Sequence, residues 1–327
     1  MRLAITLPLL AILAAPALET IGTIERLDSQ FDRLVPKEAV LEKVAQGFEW
    51  SEGPVWLRQG KFLLFSDIPN NVIVKWEEGK GTSEFLKPSG YTGSGSGSKE
   101  PGSNGLALDN QGRLIICQHG DRQIARLEKD GRKTVLAARY DGKRFNSPND
   151  LVVRSNGDIY FTDPPYGLLK LNDDPAKELD FNGVYRLSRD GKLTLLTREM
   201  SFPNGIAFSP DEKTLYVANS DPKRAIWMAF DVAADGLKNG RVFFDATPWV
   251  GRYKGLPDGM KVDRNGFVFA TGPGGVNVFS PQGKHLGRIN PGEATANCGW
   301  GDDGSTLYIT ADMYLCRLKT ATKGLGF

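Results

Sequence analysis

Short apolar strands separated by polar turns recur along the whole chain. In one unit, the apolar run Gly105–Asp109 is joined to a second run, Arg113–Cys117, by the turn residues Asn110–Gly112. An alternating third run follows, and the hairpin signal Asp130-Gly131 precedes a fourth run. This order predicts four-stranded antiparallel units and very little helix, apart from one helical turn near Ser29–Leu34.

The unit occurs six times, at intervals of about 40–55 residues. Each copy opens with a polar turn that runs directly into an apolar strand. The six openings are Ser51–Trp56, Ser103–Leu108, Ser147–Val152, Phe202–Ala207, Leu256–Lys261 and Ala296–Gly301. Repeats of this length made of short strands are typical of propeller blades. The sequence therefore predicts an all-β fold, a six-bladed β-propeller.

The last unit ends at Phe327, too early for a complete fourth strand. The segment Ala39–Val44 has strand character and precedes the first unit. We expect it to supply the missing outer strand, because an open sheet edge promotes aggregation. The predicted organisation is a signal peptide at 1–17, an N-terminal extension at 18–38 and a single propeller at 39–327.

The first residues resemble a secretory signal peptide. Arg2 is followed by the apolar run Leu3–Ala14 and the small-residue pattern Ala15-Pro16-Ala17. We expect cleavage there and export to the periplasm or the medium. The alternative is an uncleaved membrane anchor, although the run is short for a membrane span.

The composition indicates an ordinary globular protein with 40% hydrophobic and 24% charged residues. The formal net charge is +2 and there is no basic run, which argues against a nucleic-acid partner. We expect no membrane partner after signal cleavage, and a monomer or a simple homo-oligomer. Three cysteines, Cys117, Cys298 and Cys316, do not form a disulfide framework. They are interpreted as small buried hydrophobes, with a Cys298–Cys316 pair as the alternative.

Four polar side chains occupy matching positions in four different units: Glu52, Asn149, Asn204 and Asp258. Propeller symmetry brings equivalent positions to one central axis. Two carboxylates and two amides form an oxygen-only ligand set, which suits Ca²⁺, Mg²⁺ or Mn²⁺. Individually, each residue is also an ordinary turn former. The shared register favours a central metal-binding channel.

The chain resembles the SMP-30/gluconolactonase/LRE family of six-bladed propellers from about Phe48 to Leu318. The motifs that carry the resemblance are Glu52–Trp56, Ser147–Asp150, Tyr160–Gly167, Pro203–Gly205, Asp258–Met260 and Asn297-Cys298. Their order and spacing are specific, although each motif alone is weak.

The resemblance implies a divalent cation held by Glu52, Asn204 and Asp258, with Asn149 close by as a metal or substrate ligand. Ca²⁺ is the expected ion, with Mg²⁺, Mn²⁺ or Zn²⁺ as alternatives. The resemblance also implies hydrolysis of a sugar lactone or a related cyclic ester. Asp258 is the expected general base, because a carboxylate beside the attacked carbon can accept the proton of water. In mammalian members an Arg stands where this chain has Ser147, so the substrate stays open.

Other polar and aromatic residues are candidates for substrate binding: Asn104, His119, Asn149, Tyr166 and Asn219. His119 follows an apolar strand on the face expected for the site, with a structural turn role as the alternative. His285 lies in an outer hairpin and is expected to have no function. The Gly/Ser-rich insertion Tyr91–Gly102 and the insertion Pro164–Phe181 are expected to lie near the pocket or to be plain surface loops.

Two other functions fit the same pattern. A calcium-stabilised propeller could bind a ligand or partner without catalysis, since the propeller fold alone does not define a function. A related hydrolase could act on phosphotriesters or aryl esters. A hydrolysis assay with and without a chelator separates these alternatives.

Overall fold

The computed structural model describes residues 19–94, 98 and 100–327. The predicted signal peptide lies outside the described residues. The described chain is almost entirely β-strand, with three 3₁₀ helices of three residues each. In this part of the chain no helix has the length and apolarity needed to cross a bilayer. The predicted helical turn near Ser29–Leu34 is confirmed as η1, Phe31–Arg33.

The chain begins with β1 Glu19–Thr20, β2 Thr23–Arg26, η1 and β3 Leu41–Gln46. Blade 1 then comprises β4 Ser51–Leu57, β5 Phe62–Asp67, β6 Val72–Glu77 and β7 Gly81–Leu86. Blade 2 comprises β8 Ser103–Leu108, β9 Leu114–Gln118, β10 Gln123–Leu127 and β11 Lys133–Ala137. A small ribbon, β12 Arg139–Tyr140 and β13 Lys143–Arg144, leads to the next blade.

Blade 3 comprises β14 Leu151–Val153, β15 Ile159–Asp163, β16 Gly183–Leu187 and β17 Leu193–Thr197, with η2 Leu171–Asp173 inserted after β15. Blade 4 comprises β18 Pro203–Phe208, β19 Thr214–Asp221, β20 Arg224–Ala233 and β21 Gly236–Asp245, followed by η3 Thr247–Trp249. Blade 5 comprises β22 Met260–Val262, β23 Val268–Gly272, β24 Gly275–Phe279 and β25 His285–Asn290. Blade 6 begins with β26 Asn297–Gly301, β27 Thr306–Ala311 and β28 Tyr314–Lys319.

The six sheets form a closed ring. The strands within each blade pair in chain order, and all pairs are antiparallel. The first strand of each blade contacts the first strand of the next, from β4 to β26, and β26 returns to contact β4. The predicted six-bladed propeller is therefore confirmed, and the first strand of every blade lines the axis.

The ring closes with a strand from the beginning of the chain, as predicted. β3 pairs with β28, with Leu41 opposite Leu318 and Gln46 opposite Tyr314. The preceding residues extend two outer edges: β1 pairs with β3 in blade 6 and β2 pairs with β25 in blade 5. Both ends of the chain are thus joined in one sheet, which leaves blade 6 with no missing strand.

The hydrophobic core lies between adjacent blades. At the junction of blades 5 and 6, the rings of Phe269 and Trp300 meet edge to face with centroids 4.9 Å apart. Cys298 and Cys316 belong to the same buried cluster, and all three cysteines are buried free thiols. Their interpretation as small buried hydrophobes is confirmed, and the alternative Cys298–Cys316 disulfide is not formed.

The closing strand should contribute measurably to stability through its buried face. Leu41 is 1% exposed in the cluster between blades 5 and 6, whereas its neighbour Val40 is 49% exposed. We expect Leu41→Ala to lower the free energy of unfolding by about 2–5 kcal/mol, because it leaves a cavity. Val40→Ala, the matched control, should change it by less than about 0.5 kcal/mol. Urea unfolding of both variants measures the difference. Equal effects would show that β3 does not hold the ring closed.

Candidate functional site

The polar side chains reach the axis because five of the six blades carry a glycine where the neighbouring blade approaches, whereas blade 3 has Asp150 there. A Cβ atom added at Gly53 would lie 2.4 Å from the carbonyl oxygen of Asn104, and one at Gly105 would lie 2.7 Å from that of Asn149. A Cβ atom added at Gly205 would lie 2.1 Å from the carbonyl oxygen of Asp258. Only glycine permits this spacing, so the polar residue before it is held at the ring.

Irregular strand pairing directs several of these side chains. In β4, β8 and β18 the ladder shifts its register between Glu52 and Val55, between Ser103 and Leu106, and between Pro203 and Ile206. Bulges of this kind reorient side chains and are frequent beside functional sites. Asn149 and Asp258 lie just before β14 and β22, where the backbone of the second strand still holds them: Asn149 N donates to Thr162 O and Asp258 N to Thr271 O, both at 2.9 Å.

A cavity of about 440 Å³ opens at this end of the axis. Six of the eight predicted site residues line it: Glu52, Asn104, Asn149, Tyr166, Asn204 and Asp258. Trp50, Glu100 and Ser220 also contribute to the wall. The structure thus brings the four predicted metal ligands from four blades to one cavity. Their roles as ligands stay predictions.

The amide groups of the site are held by their nitrogen atoms. Asn204 Nδ2 donates to Ser220 Oγ at 3.3 Å, and that hydroxyl donates in turn to Pro257 O at 2.5 Å. Asn104 Nδ2 and Asn149 Nδ2 lie 3.3 Å and 3.5 Å from His119 Nε2. The Oδ1 atoms of all three amides are buried without a hydrogen-bond partner. Buried polar atoms are rarely left unpaired, so these three oxygens point to a bound group.

The Glu52 carboxylate is also buried, and two donors hold it. Its Oε2 accepts hydrogen bonds from Gly53 N at 2.7 Å and from Asn297 Nδ2 at 3.0 Å. Burial raises the pKa of Glu52 to about 8, and the nearby charge of Asp150 adds to this effect. The two donors and the charge of Lys261 lower the pKa without offsetting the rise.

Asp258 keeps some access to solvent through the cavity, and its Oδ1 has no hydrogen-bond partner. Removal from bulk water raises the pKa of Asp258 well above its usual range, and the charges of Glu52, Asp150 and Glu100 raise it further. Asp150 is 2% exposed, and its Oδ2 is likewise without a partner. The site therefore gathers more negative charge than its own donors neutralise.

This donor set fits a hard divalent cation. Carboxylate and amide oxygens are the ligands that Ca²⁺ and Mg²⁺ take, and a cation would neutralise the charge that burial leaves uncompensated. Among the described residues no group of three or more His, Cys, Asp or Glu side chains is arranged to hold a metal ion. The fit therefore requires the amide oxygens of Asn149 and Asn204 in addition to the carboxylates of Glu52 and Asp258.

The other two predicted residues, His119 and Asn219, do not line the cavity. His119 is fully buried behind the amides of Asn104 and Asn149. Asn219 Oδ1 accepts from Phe202 N at 2.9 Å, and its Nδ2 donates to Arg224 O at 2.8 Å. Asn219 therefore holds the entry to β18, and the residue after it, Ser220, is the one that reaches the cavity.

Tyr166 lies at the wall of the cavity, with its ring stacked on Phe202 at a centroid distance of 5.7 Å. Burial raises its pKa above the usual range of a phenol. Stacking on a sugar ring stays a prediction for Tyr166. Both insertions reach the site as expected: Glu100 from the Tyr91–Gly102 segment and Tyr166 from the Pro164–Phe181 segment line the cavity.

Sequence reasoning missed four polar residues around the ring: Glu100, Asp150, Ser220 and Asn297. Asn297 lies one position beyond the one that Asn149 and Asp258 occupy, because Ala296 N donates to Thr310 O as Asn149 N donates to Thr162 O. Asn297 therefore matches Asp150 in the repeat. Ser220 had no signal of its own, because its role depends on the pairing of β18 with β19.

The fold and the cavity define a class: a six-bladed β-propeller with an oxygen-rich site on its axis. Residues 50–312 match the family described as SMP-30/Gluconolactonase/LRE-like region. The chain belongs to this family.

Known proteins resemble the chain along most of its length. It is 42% identical to a gluconolactonase of Zymomonas mobilis over 93% of this chain and 88% of that protein. It is 26% identical to the pentonolactonase XacC of Haloferax volcanii, over 79% of this chain and 80% of that protein. The solved structure of a Xanthomonas campestris gluconolactonase matches with a TM-score of 0.81 and 34% identity, covering 95% of this chain and 99% of that one. The family named from the sequence motifs is therefore confirmed.

The close approach of the inner strands can be tested with two glycines. Cβ atoms at Gly205 and at Gly60 would both meet a neighbour at 2.1 Å. At Gly205 the neighbour is the Asp258 carbonyl of the next blade, whereas at exposed Gly60 it is the ring of Phe62. We expect Gly205→Ala to lower the free energy of unfolding by about 1–3 kcal/mol or more, because backbone must move.

Gly60→Ala is the matched control and should cost less, because the half-buried ring of Phe62 can shift more easily than backbone. Denaturant unfolding compares the two variants. A Gly205→Ala protein as stable as Gly60→Ala would show that the ring tolerates a side chain there.

Proposed function

We propose that this protein is a divalent-metal-dependent lactonase that opens a sugar lactone to the corresponding hydroxy acid. The observation that carries the proposal is the convergence of Glu52, Asn149, Asn204 and Asp258 in one cavity, with unpaired oxygens on the last three. The lactonase names of the relatives in Zymomonas mobilis and Haloferax volcanii support the substrate class. Those names differ between a six-carbon and a five-carbon sugar, so the proposal is a sugar lactone of either size.

Glu52, Asn149, Asn204 and Asp258 would hold the cation. Ca²⁺ is the ion we propose, because two carboxylates and two neutral oxygens form a hard and irregular ligand set. Mg²⁺, Mn²⁺ and Zn²⁺ are the alternatives. When bound, the cation supplies positive charge that stabilises the negative charge developing on the lactone carbonyl oxygen.

Among the residues of this chain, Asp258 would carry the proton during the reaction. Asp258 lines the cavity and its Oδ1 has no hydrogen-bond partner. Ionised beside a bound cation, its carboxylate can accept a proton from a water molecule that attacks the lactone carbonyl carbon. The new bond joins the water oxygen to that carbon, and the ring C–O bond breaks. The proton held on Asp258 then passes to the ring oxygen that leaves, and the product is the open-chain hydroxy acid.

The remaining side chains would orient the substrate. Asn104 and Asn149 offer amide oxygens to substrate hydroxyl groups, and the Tyr166 ring offers a flat apolar face on the same cavity. Trp50, just before the first strand of blade 1, also lines the cavity and would help to exclude water. This arrangement favours catalysis over a purely structural ion, since a structural cation needs no cavity beside it.

Two variants separate the base from a metal ligand. Asp258→Asn keeps the size and one oxygen ligand but removes the charge and the base, so we expect hydrolysis to fall by about 10²–10⁴-fold even at saturating metal. Asn204→Ala removes one ligand only. It should weaken cation affinity by at least about tenfold and regain activity when excess metal is added. A pH-stat assay with glucono- and pentonolactones, corrected for spontaneous hydrolysis, measures both effects, while calorimetry follows metal binding.

The wild-type protein with and without a chelator is the control. Near-full turnover of Asp258→Asn at saturating metal would remove Asp258 as the base. If the wild type hydrolyses no lactone with Ca²⁺, Mg²⁺, Mn²⁺ or Zn²⁺, the non-catalytic calcium-stabilised propeller becomes the better interpretation.

We also propose that the protein is exported. The pattern from Arg2 to Ala17 predicts a mature N-terminus near Leu18. Intact mass spectrometry of the protein purified from its native host measures that terminus. A cytoplasmic protein that retains Met1 would contradict the proposed localisation and leave the proposed enzyme activity untouched.

A further inference from the structure

One buried histidine contacts two of the site amides at once. His119 is fully buried, and its Nε2 lies 3.3 Å from Asn104 Nδ2 and 3.5 Å from Asn149 Nδ2. An amide nitrogen only donates hydrogen bonds, so Nε2 must present its lone pair to both. This requires a ring that carries no proton on Nε2.

The contact at the other ring nitrogen of His119, Nδ1, favours the same tautomer, in which Nε2 carries no proton. Glu100 Oε2 lies 3.0 Å from His119 Nδ1, although its direction of approach does not complete a hydrogen bond. A carboxylate only accepts, and its charge attracts a proton to the nearer ring nitrogen. The ring proton therefore belongs on Nδ1, which leaves Nε2 free to accept.

The strand pairing shows that His119 occupies a position with a matching role in another blade. Ser103 pairs with Gln118 in blade 2, and Pro203 pairs with Asn219 in blade 4. The residues that follow these pairs on the second strands are His119 and Ser220. Each accepts from the amide of its own blade, Asn104 or Asn204.

Blade 3 lacks such a partner. Leu151 pairs with Phe161 as Leu106 pairs with Ile116, which puts Pro164 at the position equivalent to His119. The proline side chain has no acceptor for the amide of Asn149. His119 of blade 2 supplies this acceptor instead, because its longer side chain extends across the boundary to Asn149 of blade 3.

We propose that His119 is a positioning residue that fixes the Asn104 and Asn149 amides with their oxygens presented to the cavity, in the tautomer selected by Glu100. A flipped amide would set its oxygen against the lone pair of Nε2 and lose the hydrogen bond. This inference rests on the proposed function, because Asn149 Oδ1 is one of the proposed cation ligands. It assigns His119 no contact with substrate.

Two substitutions of His119 distinguish positioning from simple packing. Gln can place a carbonyl oxygen near the position of Nε2, whereas Asn reaches only as far as Nδ1. We expect His119→Asn to weaken Ca²⁺ binding by about 10–100-fold, as loss of a partner that orients a ligand does. His119→Gln should restore most of that affinity, with a loss of less than about tenfold. Calorimetric titration with CaCl₂ measures affinity, and thermal unfolding verifies that both variants are folded.

The wild-type protein provides a test that needs no metal and no variant of the site. The chain contains two histidines, so long-range ¹H–¹⁵N NMR spectra show two rings, and His285→Gln identifies the second. His285 packs on Phe244, Trp249 and Phe279 and lines no part of the cavity. We expect His119 to carry its proton on Nδ1 only. A protonated Nε2 would overturn the proposal.

Equal Ca²⁺ affinities of the Asn and Gln variants, in two folded proteins, would also overturn it. A wild type that binds no Ca²⁺ and opens no lactone would instead refute the proposed function, and the NMR spectrum would still report the tautomer on its own.

Discussion

The close approach of the inner strands is the constraint on which the site depends. At five places around the ring a glycine lies against the next blade so tightly that a Cβ atom would fall 2.0–2.7 Å from it: Gly53, Gly105, Gly205, Gly259 and Gly299. At Gly299 the neighbour is Pro54 O of blade 1, so the contact runs from the last blade back to the first. The absence of a side chain at these positions lets the polar residues meet at the axis.

Electrostatics then decide what such a ring can hold. Glu52, Asp150 and Asp258 lie together away from bulk water. The pKa values of Glu52 and Asp258 rise mainly because burial disfavours their charged forms, and further because neighbouring carboxylates repel each other. Donors from Gly53 and Asn297 stabilise one of these groups and leave the others short of positive charge. A bound cation would stabilise this cluster, because it would offset negative charge that the protein donors leave uncompensated.

A set of supporting side chains orients the oxygens. Ser220 and His119 bind the amide nitrogens of three asparagines, and the oxygens are left to the cavity. Asn219, one position before Ser220 on β19, and Asp163, at the end of β15, instead accept hydrogen bonds from backbone N–H groups of the loops that enter β18 and β14. Adjacent residues on one strand therefore have different roles: Ser220 contacts the site, and Asn219 stabilises the loop beside it.

The amino-acid sequence by itself determined the repeat, the number of blades, the closing strand and the four polar residues that converge on the cavity, because each depends on local patterning repeated in register. Glu52, Asn149, Asn204 and Asp258 were found this way, since symmetry converts a shared position in sequence into a shared place in space. Tertiary structure decided which way each side chain faces. Asn219 turned out to hold a loop and Ser220 to reach the cavity, because bulges and strand register, and not sequence order, set those directions. Glu100 joined the site only through contacts between segments far apart in the chain, for which no local pattern carries a signal.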